Sequence, residues 1–183
     1  GRGGDGLAGK AGNGGNVKTI SILEADLISF IINDISNGKG DGGVSTGNKG
    51  GKGGDISDVK ITDSDYGIAT SEANFFNLRS GDGGDGDKGG GTGGLLNNVL
   101  FSGTEIEIDV KSGDGGNALL TGAGGKAGNI NNAQLSSYGT ILKTIAGVPI
   151  QVPADSSLRA GAGGDGAGTR GLGGLGGNIN LVN

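Results

Sequence analysis

Asp82, Asp85 and Asp87 place three carboxylates within six residues of GDGGDGDKGG (81–90). Hard oxygen ligands that close together suit calcium, which takes about six to eight of them. Neighbouring segments would have to supply the rest. The glycine-rich calcium nonapeptide also needs an apolar residue at a fixed place, and 81–90 lacks it. A solvated acidic turn balanced by Lys88 is the favoured reading, with calcium the alternative.

Other chemistry is thinner. The sequence has no His and no Cys, which removes zinc sites and Cys–His nucleophiles in their usual forms. GAGGDG (161–166) matches a phosphate-loop pattern, but so glycine-rich a chain produces such matches by chance, and no strand–helix–strand unit surrounds it. Carboxylate or Lys-assisted catalysis of the kind used by β-helical polysaccharide lyases would need a clustered Arg/Lys/Asp set on the repeating strand, and none stands there. The expectation is a non-enzyme with no catalytic residue and no cofactor.

Composition narrows the class. Of 183 residues, 47 are Gly and 3% are aromatic. Glycine loses more backbone freedom on ordering than any other residue. Glycine this abundant therefore signals either a linker or a lattice in which a missing side chain is the point. The net charge of −5 argues against nucleic acid, which requires a concentrated basic surface. No apolar run is long enough to span a bilayer. LISFII (27–32) reads as a buried strand.

The elements that would position any site come from repetition. Five glycine-rich blocks occupy 1–16, 38–55, 81–94, 113–129 and 161–178. After each, aliphatics recur at i, i+3 and i+5: Val17, Ile20, Ile22; Ile56, Val59, Ile61; Leu96, Val99, Phe101; Ile130, Ala133, Leu135; and Ile179, Val182. Asn16, Asp55, Asn129 and Asn178 precede four of the five sets. A second signature, apolar-x-small or polar-Gly, leads into each later block: Ile35–Gly38, Leu78–Gly81, Val110–Gly113 and Leu158–Gly161. TEIEIDVK (104–111) and VPIQVP (148–153) alternate as strands do, the prolines of the latter suiting an edge.

Two signatures kept in phase while the link between them changes length are what stacked repeats demand. The expected fold is all-β, with no significant helix: a single domain forming a parallel β-solenoid of about 4.5 coils. The coils are 1–37, 38–80, 81–112, 113–160 and a partial 161–183. The aliphatic sets become columns facing one interior. Asn16, Asp55, Asn129 and Asn178 become a corner ladder, each amide bonding its equivalent above and below. The glycine segments become polyproline-II-like legs that bond one another. Asp5, Asp41, Asp82, Asp114 and Asp165 line up near Lys10, Lys49, Lys52, Lys88, Lys126 and Arg170, setting register more than stability.

The GGN/GGD-I-x-x-V-x-I phrase resembles glycine-rich parallel β-helix repeats of large secreted and cell-surface proteins of bacteria and archaea. That resemblance covers the whole chain and implies an extracellular or cell-surface scaffold. The alternation of glycine motifs with variable segments is also similar to polyglycine-II tail-fibre-tip adhesins of T-even-like phages, whose loops contact a receptor. This chain departs from them in its recurrent aliphatics and few aromatics. The snow-flea type of antifreeze protein shares the polyglycine idea without these β segments.

Three functions follow. The first is an extracellular structural protein that joins copies of itself head to tail into a filament, fibre or surface coat. The chain starts at the first glycine of a repeat and stops inside a strand, with no cap at either end. It opens on Gly1, which marks a processed product or part of something longer. The second is an adhesin binding a surface glycan or receptor through the long links 62–74 and 136–147, without nucleic acid or membrane insertion. The third is an ice binder, ranked last because TxT ranks are missing. Tyr66, Phe75, Phe76 and Tyr138 are expected to close the ends of apolar columns rather than to stack on glycans.

Overall fold

The structure, a computed structural model, describes residues 1–7, 9–23, 35–36, 41–62, 74–104, 106–145, 148–169 and 171–180. Its strands are β1 (Gly6–Leu7), β2 (Val17–Leu23), β3 (Ile35–Ser36), β4 (Ser45–Thr46), β5 (Ile56–Thr62), β6 (Asn74–Arg79) and β7 (Leu96–Thr104). They continue with β8 (Ile106–Lys111), β9 (Ile130–Tyr138), β10 (Thr140–Ile145), β11 (Val148–Pro153), β12 (Ser156–Arg159) and β13 (Ile179–Asn180). The described residues contain no helix. LISFII lies outside them.

Each strand that follows a glycine block pairs in parallel with its counterpart in the next repeat, giving a five-stranded sheet ordered β13-β9-β7-β5-β2. The register runs Val17–Ile56–Leu96–Ile130–Ile179, then Ile20–Val59–Val99–Ala133, then Ile22–Ile61–Phe101–Leu135. Strands that precede the blocks form a second parallel sheet, β12-β8-β6-β3. There Leu78 stands between Ile35 and Val110, and Leu158 beside Val110.

The i, i+3 spacing needs a cause, because positions three apart on a straight strand face opposite sides. The cause is one residue in the left-handed region. Thr19, Asp58, Asn98 and Asn132 have φ of 59°, 58°, 53° and 53°. Each drops out of the strand register just before the Ile20–Val59–Val99–Ala133 column. That single turn brings the next side chain back to the face of the first. Asn and Asp adopt this conformation most readily among residues with a Cβ.

One core cluster joins the two sheets: Ile56, Val59, Ile61, Leu96, Val99, Phe101, Ile130 and Ala133 with Leu78, Ile108 and Val110. Val17, Ile20, Leu135 and Leu158 pack against it half-buried. Full burial of an Ile, Leu or Val in this cluster contributes about 1.5–3 kcal/mol. Ile179 departs from the expected column by being 39% exposed, because β13 is the outer strand of its sheet. Val182 lies outside the described residues.

The glycine segments bond one another in zigzags, one of which crosses all five repeats. Gly174 N–H donates to Gly164, Gly164 to Gly125, Gly125 to Gly116, Gly116 to Gly91, Gly91 to Gly84, and Gly84 to Gly51. The run goes on from Gly51 to Gly43, Gly43 to Gly12 and Gly12 to Gly4, all at 2.7–2.9 Å. A Cβ on Gly91 would fall on the carbonyl of Gly51, and one on Gly51 on that of Gly12. The absent side chain is what lets two backbones bond at this distance.

Serine ties these segments to the second sheet. Ser112 Oγ donates to the Gly128 carbonyl at 2.8 Å and accepts the Gly161 N–H at 2.9 Å. Ser80 Oγ does the same between Gly94 and Gly113. Ser80 and Ser112, which precede the third and fourth blocks, are thus buried connectors with both hydrogen-bonding functions used.

Candidate functional site

The acidic block does not gather its carboxylates. Asp82 Oδ1 accepts the Asp114 N–H at 2.7 Å, Asp85 Oδ1 the Asn117 N–H at 2.6 Å, and Asp87 Oδ2 the Gly47 N–H at 2.7 Å. Each reaches a different main-chain donor in an adjoining repeat. Among the described residues no three His, Cys, Asp or Glu side chains converge as metal ligands. The three carboxylates of 81–90 thus hold separate main-chain partners.

The aspartates expected in one line fall into two columns. Asp41 accepts from Asp82 N–H, Asp82 from Asp114 N–H, and Asp114 from Ala162 N–H. Separately, Asp5 accepts from Val44 N–H, Asp85 from Asn117 N–H, and Asn117 from Asp165 N–H. Desolvation raises the Asp82 pKa above the ordinary value, and the Asp114 and Asp41 charges add to it. The Asp114 N–H and Lys111 oppose them without reversing the direction.

The corner ladder differs from expectation in its chemistry. Asn16 Oδ1 accepts the Asp55 N–H at 2.9 Å, Asp55 Oδ1 the Leu95 N–H at 2.8 Å, and Asn129 Oδ1 the Asn178 N–H at 2.9 Å. These bonds run from side chain to main chain, not amide to amide. Side-chain-to-side-chain ladders exist two and three residues further on. Asn131 Nδ2 donates to Asn97 and Asn180 Nδ2 to Asn131. Asn132 Nδ2 donates to Asn98, and Asn98 Nδ2 to Asp58. An Asp or Asn recurring immediately before Val59, Val99 and Ala133 was the available signal for the second of these.

Sequence reasoning missed a charged cluster on the second sheet. Asp109, whose side chain is 11% exposed, sits between Arg79 one strand back and Arg159 one strand on. Its Oδ1 accepts Ser157 Oγ at 2.5 Å and Arg159 Nε at 3.2 Å. Its Oδ2 accepts Arg79 Nη2 at 3.1 Å and also Arg159 Nη2. Burial alone would raise the Asp109 pKa, but the Ser157 hydroxyl and the Arg159 and Arg79 guanidinia outweigh it and hold the carboxyl below its ordinary range. The shallow cleft beside it is lined by Glu107, Asp155, Ser157 and Arg159. With both oxygens doubly occupied and its charge stabilised, Asp109 is a poor proton acceptor. Its geometry clamps three successive strands together.

The fourth link contains a hairpin, β10 against β11, antiparallel from Thr140–Pro153 to Ile145–Val148. Val148 and Ile150 are exposed, and Tyr138 at its base is 61% exposed. Tyr138 therefore does not close an apolar column, contrary to expectation, because β9 carries it past the core cluster. Phe75 and Phe76 fall in β6. Tyr66 and nearly all of the 62–74 link lie outside the described residues.

No family model, curated protein or solved structure matches this chain.

Proposed function

We propose that the chain is a non-catalytic structural protein of the cell exterior, a parallel β-solenoid with polyglycine-II-like legs that joins copies of itself end to end into a filament or coat. The observation that carries this reading is the unbroken hydrogen bonding that alternates between the two glycine segments of one repeat and those of the next, from Gly174 through Gly4. Such stacking is polar: one outer strand, β2, and the other, β13, belong to the same repeat phrase and run in parallel. An edge of this kind templates a matching strand, and a contact between unlike ends propagates rather than closes. Sedimentation velocity of the ligand-free chain over a concentration series tests it. Growing, polydisperse assemblies are expected, and a monomer unaffected by concentration would remove the reading.

A second reading has one observation in its favour. The β10–β11 hairpin presents Val148, Ile150 and nearby Tyr138 to solvent, as a receptor- or glycan-binding loop would. Replacing residues 140–153 with a short Gly-Ser link should then abolish attachment to a target surface while leaving the far-UV spectrum and polymerisation intact. Unchanged attachment would discard it.

A further inference from the structure

We propose a specific register for the contact between copies: β13 of one copy takes β2 of the next, with Asn180 over Lys18, Asn178 over Asn16 and Asp165 over Asp5. This rests on the self-assembly reading and adds the partner surface and its chemistry.

Three side-chain columns point in the same direction. In the first, a carbonyl or carboxylate oxygen of each repeat accepts the main-chain N–H of the repeat after it, through Asn16–Asp55, Asp55–Leu95 and Asn129–Asn178. Continued by one step, Asn178 Oδ1 takes the N–H of Asn16 in the next copy. In the second, Asp5, Asp85 and Asn117 do likewise toward Val44, Asn117 and Asp165. One further step seats the N–H of Asp5 from the next copy on Asp165. In the third, Asn97 accepts from Asn131 and Asn131 from Asn180. The position after Asn180 in this column is Lys18, whose register partner inside the chain is Ser57. Its ammonium group is a donor, and Asn180 Oδ1 is an acceptor.

The apolar faces agree with that register. Ile179, 39% exposed on β13, continues the column Val17–Ile56–Leu96–Ile130 and would come against Val17 of the next copy. Val17 itself is only half-buried against the core cluster. Two partly uncovered members of one column meet and complete each other's burial.

The chain has no Cys, so engineered thiols report the contact without background. Neighbouring Cα atoms of paired strands lie about 4.8 Å apart, within disulfide reach. Positions 18 and 180 of one copy are four strand steps apart, about 19 Å, and cannot bridge internally. Mild oxidation of the double variant Lys18→Cys with Asn180→Cys should give a ladder of covalent oligomers on a non-reducing gel. Lys60→Cys with Asn180→Cys, on the same face but with one thiol on an inner strand, should give no ladder. Filaments of the unmodified chain without the ladder, or an equal ladder from the Lys60 pair, would overturn the register while leaving self-assembly standing. No assembly of the unmodified chain at any concentration would overturn both.

A charge swap tests the same contact without thiols. Asn180→Lys sets two cations face to face and should raise the critical concentration at least tenfold, and Lys18→Asp in the same chain should restore it. An unchanged critical concentration in Asn180→Lys would contradict the proposal.

Discussion

Asn98 stands directly over Asp58, its Nδ2 donating to Asp58 Oδ1 at 2.8 Å, and both residues hold left-handed backbone. The pair shows why the aliphatic spacing is three and then two: the left-handed turn resets which face the next side chain meets, and the short polar side chains stack as the turn repeats. Thr19 occupies the same place in the first repeat with φ 59°, and a β-branched residue is strained there. Thr19→Asn should therefore stabilise by about 1 kcal/mol, raising Tm by roughly 2–4 °C for a domain this size. Asn98→Val should lower it. Thermal melts of both variants check the pair of signs.

Ser112 satisfies two buried main-chain groups at once, the Gly128 carbonyl and the Gly161 N–H. Ser112→Ala strands both and should cost about 2 kcal/mol or more. Ser57→Ala, on the solvent side of β5, should stay within about 0.5 kcal/mol. Denaturant midpoints at constant m-value decide it.

Two glycines separate steric need from mere abundance. A Cβ on Gly91 meets the Gly51 carbonyl, whereas one on Gly4 meets nothing within 4 Å. Gly91→Ala should break the zigzag and abolish cooperative folding. Gly4→Ala should be neutral or stabilising by about 0.4–1 kcal/mol, through a less flexible unfolded chain. Equal losses at the two positions would contradict the close-approach account.

Two carboxylates should respond to acid with opposite sign. The Asp109 pKa is lowered in the folded state, so its contribution is present above the unfolded carboxylate value and lost as pH falls through the folded one. The Asp82 pKa is raised, so its contribution is present below the unfolded value and lost as pH rises through the folded one. Asp109→Asn should destabilise at pH 7 with a deficit that shrinks in acid. Asp82→Asn keeps an acceptor for the Asp114 N–H and should stabilise at pH 7, the gain vanishing in acid. Urea melts at pH 7 and about 3.5, below the ordinary carboxylate range, test both.

The columns were legible because they obey one-dimensional phase. Ile20, Val59, Val99 and Ala133 share a position after a glycine block, and parallel pairing keeps that position across strands. The serine connectors were visible as small polar residues but not as hydrogen-bond hubs, because their partners lie 14 to 49 residues away. The Asp109 clamp was hidden for the same reason: Arg79 and Arg159 stand 30 and 50 residues from it. The hairpin at 140–153 was hidden differently. TILKTI and VPIQVP pair with each other across a link whose length the repeat leaves unconstrained, so phase carries no information there.

X-ray diffraction from oriented pellets of the ligand-free chain tests stacking between copies most directly. Copies joined strand over strand should give a reflection near 4.8 Å along the fibre axis. The same reflection lying perpendicular to that axis, or no orientable assembly, would contradict end-to-end stacking.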